Sequence, residues 1–119
     1  MYGLLKLNEK DPTPDLISVK AYLEKNNMPY QVVEDTVLGP LVIFQYENLK
    51  ELTPVIDSVN YTIFRKMPNE MSSLDDANSF VTEALGDAKK HALEHELLAA
   101  HDLLFPTRDS QLYEKGELK

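Results

Sequence analysis

The first patterned stretch of the chain is Tyr2 to Leu7, YGLLKL, an apolar run closed by the polar cluster NEKD, and it predicts a strand followed by a loop. A helical pattern comes next. Thr13 stands as an N-cap, Pro14 at the first helical position and Asp15 in the first turn, after which Leu16, Val19 and Leu23 recur at helical spacing. Asn26 and Asn27 supply a left-handed stop, and Pro29 bars any continuation. Tyr30 to Glu34 is rich in β-forming residues, while Leu41 to Tyr46, LVIFQY, is apolar on both faces as a central strand should be. The two runs predict a hairpin.

Residues 47 to 60, ENLKELTPVIDSVN, place Leu49, Leu52, Val55, Ile56 and Val59 at helical spacing. Pro54 would clash in a helix interior, yet Thr53 and Pro54 also form a good cap and first-turn pair, so two short helical pieces or a kink are expected. Tyr61 to Lys66, YTIFRK, then reads as a strand of β-branched and aromatic residues. The predicted order is β-α-β-β-α-β.

That order implies an α+β, ferredoxin-like arrangement over residues 1–67, a four-stranded antiparallel sheet whose right-handed crossovers put two helices on one face. The other face needs a cover. Residues 72–105 predict a C-terminal helical extension packed on it within the same single domain. Ser73 and Asp76 have capping-box spacing, and Leu74, Ala77, Val81, Ala84 and Ala88 form a stripe. Gly86 and Asp87 mark a break, after which a second helix is expected to run to about Phe105, before Pro106. Residues 106–119 read as a loose tail.

Composition narrows the class. A chain of 119 residues is one domain's worth and can bury a core without metal or disulfide staples. With 43% hydrophobic and 27% charged residues it is globular in type rather than disordered. The absence of cysteine removes disulfides, thiolate metal ligands and thiol nucleophiles together, and it suits a reducing cytoplasm. The opening residues carry no basic leader, and no apolar run approaches the roughly 18 residues of a membrane span. A cytoplasmic protein without membrane association is expected.

Charge is distributed unevenly. Residues 1–66 hold seven Lys/Arg against nine Asp/Glu, and residues 67–119 hold five against eleven, so six of the eight net negative charges lie in the second half. Direct nucleic-acid binding is opposed by this field, since the ligand is itself a dense anion. A protein with a basic surface, including a nucleic-acid-handling one, is complementary.

All three histidines fall in one stretch, HALEHELLAAHD, residues 91–102. On a helix, Leu93, Leu97, Ala100 and Leu104 gather on one side, while His91, Glu94, His95, His101 and Asp102 fall within about 120° on the other. The histidines are therefore expected on a wet helix face. His91, Glu94 and His95 also fit the H-x-x-E-H pattern of inverted zinc metallopeptidases, in which two imidazoles bind zinc and the Glu acts as base. A catalytic zinc needs a third protein ligand, which here would have to be Asp102, Asp109, Glu114 or Glu117. A metal set of His91, Glu94, His95 and Asp102 is thus the alternative to a solvated face.

Two further constellations carry less. RNA-recognition domains share the strand and helix order and stack bases on sheet aromatics, here Tyr2 and either Phe44 or Tyr46, but GPLVIFQY keeps only an aromatic at its last position and a Phe at the wrong parity, with no Arg or Lys. These aromatics are expected as core beneath the C-terminal helices. Adjacent carboxylates such as Glu34 with Asp35 and Asp75 with Asp76 do not converge on one point, and no nucleophile elbow is present, so catalysis is not expected.

The resulting expectation is a small acidic regulatory or inhibitory protein that acts by protein–protein contact through Asp75, Asp76, Glu94, His95 and Asp102, with no cofactor. The alternative is a ligand-sensing ferredoxin-like homodimer, with the loop from Asp11 to Asp15 before the first helix as its binding place.

Overall fold

The computed structural model describes residues 1–7, 13–34, 38–57, 61–68, 71–85, 104–105 and 110–114. In chain order its elements are β1 (Tyr2–Leu7), α1 (Thr13–Lys25), β2 (Tyr30–Val33), β3 (Leu41–Gln45), α2 (Leu49–Asp57), β4 (Tyr61–Lys66), α3 (Leu74–Leu85) and β5 (Ser110–Glu114). The strands form one sheet in the order β2-β3-β1-β4-β5, and every neighbouring pair is antiparallel. The protein is α+β.

Strand β1 sits in the middle because it is apolar on both faces, which only a doubly covered strand tolerates. Leu5 lies opposite Val42 of β3 and Phe64 of β4, whereas Leu4 lies opposite Ile43 and Arg65. The ladder runs past the strand ends, with the Tyr46 N–H donating to the Met1 carbonyl at 2.9 Å and the Met67 N–H to the Tyr2 carbonyl at 2.9 Å. Alternation then sorts the side chains into two cores. On the first face Leu5, Leu7, Val42, Phe44 and Phe64 pack with Val19 and Leu23 of α1 and Val55 of α2. On the second face Leu4, Leu41 and Ile43 pack with Ala77, Val81 and Leu85 of α3 and with Leu104 and Phe105.

The sheet has one strand more than the ferredoxin-like set of four, so that arrangement describes it only in part. Residues 110–114, expected within a loose tail, pair along the outer edge of β4 from Arg65↔Ser110 to Tyr61↔Glu114. A five-residue segment has too little pattern of its own to announce a strand; the edge of β4 supplies the backbone partners that make it one. The aromatics also lie on the other side from that expected. Phe44 and Tyr46 are buried with α1 and α2 rather than beneath the C-terminal segment, because Phe44 shares the parity of Val42 and the face of Leu5. Tyr2 does pack toward α3.

Gly3 has a specific part in that first core. It pairs with Phe44 and with Lys66, and a Cβ built on it would come within 2.6 Å of the Phe64 ring and 2.9 Å of the Phe44 ring. The bare backbone leaves room for three mutually tilted or edge-on rings, with centroids 5.7 Å apart for Phe44–Tyr46, 6.3 Å for Phe44–Phe64 and 6.2 Å for Tyr46–Phe64.

Helix α1 ends as the sequence indicates, and the mechanism is complete. Asn27 takes the left-handed conformation at φ 55°, its N–H reaches the Glu24 carbonyl at 3.2 Å, and the Met28 N–H reaches the Leu23 carbonyl at 2.9 Å. This is a Schellman cap, and Leu23 and Met28 share the first core as the apolar contact that accompanies it. Asn27→Ala is expected to lower stability by about 1 kcal/mol, since alanine lacks both the tolerance and the local bonding of Asn in that region. Asn27→Gly should match or exceed the parent in urea denaturation, and a loss equal to that of alanine would contradict the cap.

Helix α2 spans Leu49–Asp57 as one element with Pro54 inside it, rather than as two separate pieces. Asn48 caps its start, its Oδ1 accepting from the Lys50 N–H at 3.0 Å. The proline removes one backbone donor, while Val55 beside it is buried at 0% exposure and anchors the same turn to the core.

Candidate functional site

Of the residues expected to meet a partner, Asp75 and Asp76 belong to the first turn of α3 and are exposed. Their local roles differ. Ser73 caps the helix, its Oγ accepting from the Asp76 N–H at 3.1 Å. The Asp76 carboxylate bonds back to Ser72, accepting from its N–H at 3.3 Å and from its hydroxyl, so the capping box closes one residue earlier than the spacing implies. Asp75 reaches sideways instead. Its Oδ1 accepts from Gln31 Nε2 at 3.1 Å, while Gln31 Oε1 accepts from Asn78 Nδ2 at 2.8 Å. One amide on β2 thereby fixes the start of α3 against the sheet edge.

The exposed charges of α3 are all acidic, with Ser79 as the exposed neutral residue among them. Asp75, Asp76 and Glu83 are exposed on this helix, and the sequence LDDANSFVTEAL contains no base. The two carboxylates at the N-terminus also suit the helix dipole, so charge and stability agree there.

Behind that acidic surface lie two buried cations that periodicity did not single out. Lys6 and Arg65 are only 5% and 6% exposed, on adjacent strands of the second face. Arg65 donates from Nη1 to the Leu104 carbonyl at 2.8 Å and lies 5.1 Å from the centre of the Phe80 ring. A buried cation is tolerated when hydrogen bonds and a polarisable ring replace its water, and here these contacts bind Leu104 and Phe105 to the sheet. The sequence signal was available in hindsight: a Lys and an Arg at inward parity in strands otherwise apolar on that face.

His91, Glu94, His95, His101 and Asp102 lie outside the described residues, as does the second helix expected after Gly86 and Asp87 apart from Leu104 and Phe105. Among the described residues no group of three or more His, Asp or Glu is arranged to hold a metal ion, and no helix is long and apolar enough to cross a membrane. Of the Asp11 to Asp15 loop, Asp15 is buried at the start of α1.

Two tyrosines have raised pKa values. The Tyr30 hydroxyl is held by its hydrogen bond to Glu24, with desolvation and the Glu24 charge adding in the same direction, and burial alone raises Tyr46. A tyrosine raised in the folded state keeps its proton longer there than in the unfolded chain. Its contribution to stability is complete below the ordinary value of 10.0 and is lost as pH climbs through the folded value. Tyr46→Phe should therefore lose less stability than the parent between neutral pH and about pH 11. Urea midpoints at the two pH values read this directly, and equal losses would refute it.

No protein-family model matches the chain, and no curated protein and no solved structure is significantly similar to it.

Proposed function

We propose that this chain is a small acidic regulatory or inhibitory protein of the cytoplasm that acts by binding another protein through a basic surface. The observation that supports it most directly is the solvent side of α3, where Asp75, Asp76 and Glu83 are exposed with no basic residue in the helix. The net charge is −8, and most of it belongs to the second half of the sequence, which also holds Glu94, His95 and Asp102. Such a field accelerates encounter with a basic partner and rejects acidic ones, nucleic acid included.

The alternative, a ligand-sensing dimer formed through sheet faces or edges, draws less support. Both faces of the sheet are occupied, one by α1 and α2 and the other by α3 with Leu104 and Phe105, which leaves edges rather than faces for a second copy.

The test is native mass spectrometry of the protein purified from its own host at low salt, for the parent and for a variant carrying Glu83→Lys and Glu94→Lys. Asp75 and Asp76 are left in place because one holds β2 and the other closes the helix cap. The parent should carry a second, basic protein that leaves as salt rises, and the variant should be recovered without it at unchanged helix content by circular dichroism. The same partner held equally by both proteins would overturn the charge-based reading.

A further inference from the structure

We draw no further inference here: the strongest candidate, the pair of buried cations Lys6 and Arg65 on the sheet face beneath α3, is engaged within the fold already described, and nothing in the structure points to a ligand there.

Discussion

Gly3→Ala is expected to destabilise the protein by roughly 1–3 kcal/mol, although it adds a single methyl group to a strand. Strand backbone accepts alanine readily, so the whole effect must come from the space above Gly3. That space is filled. A Cβ there meets Phe64 at 2.6 Å and Phe44 at 2.9 Å, and both rings are buried, at 8% and 0% exposure, with Tyr46 locked against them. Neither ring can retreat without moving the others or the helices packed on them. Against a typical total stability of about 5–15 kcal/mol, such a loss should be plain in a urea titration. A double-mutant cycle separates crowding from any change in strand preference: Phe64→Leu should cost stability in the parent and cost distinctly less beside Gly3→Ala. If Gly3→Ala unfolds at the parent midpoint, the rings are not packed on the glycine.

Arg65→Ala should cost about 2–4 kcal/mol, combining a charge-assisted hydrogen bond with the ring contact that accompanies it. The loss arises from both ends, because the Leu104 carbonyl is left without this donor and Phe80 without the cation across its face. Its location is as diagnostic as its size. Arg65 also pairs through its backbone with Ser110, so amide exchange should quicken most at Leu104, Phe105 and the β5 residues 110–114. Arg65→Lys keeps the charge on a narrower head without the planar fork, and should fall between parent and alanine. Parent-like exchange at these amides in Arg65→Ala would show that Leu104 and Phe105 are held by apolar packing alone.

The parts legible in the sequence are those whose cause is local. Asp15 lies in the first turn of α1 and Asn27 closes that helix because first-turn charge and left-handed turns are decided within a few residues, and Ser73 with Asp76 opens α3 for the same reason. What escaped depends on partners far along the chain. Gln31 and Asp75 are 44 residues apart, and Arg65 and Leu104 are 39 apart, so neither bond leaves a periodic trace. The side chosen by Phe44 follows from its register with Gly3, which hydropathy alone does not fix in a strand apolar on both faces. Strand β5 exists because β4 offers it an edge. For the candidate surface, the sequence located Asp75 and Asp76 at a helix start, but that one tethers β2 and the other closes the cap required the geometry.

The position of β1 has a consequence for the order of events during synthesis. It comes first in sequence among the strands of this sheet and third across it, and both of its neighbours are encoded later, at Leu41–Gln45 and Tyr61–Lys66. At roughly 5–20 residues per second, a ribosome leaves Leu4, Leu5 and Leu7 without their sheet partners for several seconds. Loop closure over that span must precede any reward from the central pairings, and the second face cannot be sealed until Leu104 and Phe105 have emerged. The centre of the sheet therefore cannot close before β4 has been made, and until then the apolar side chains of β1 wait for both of their neighbours.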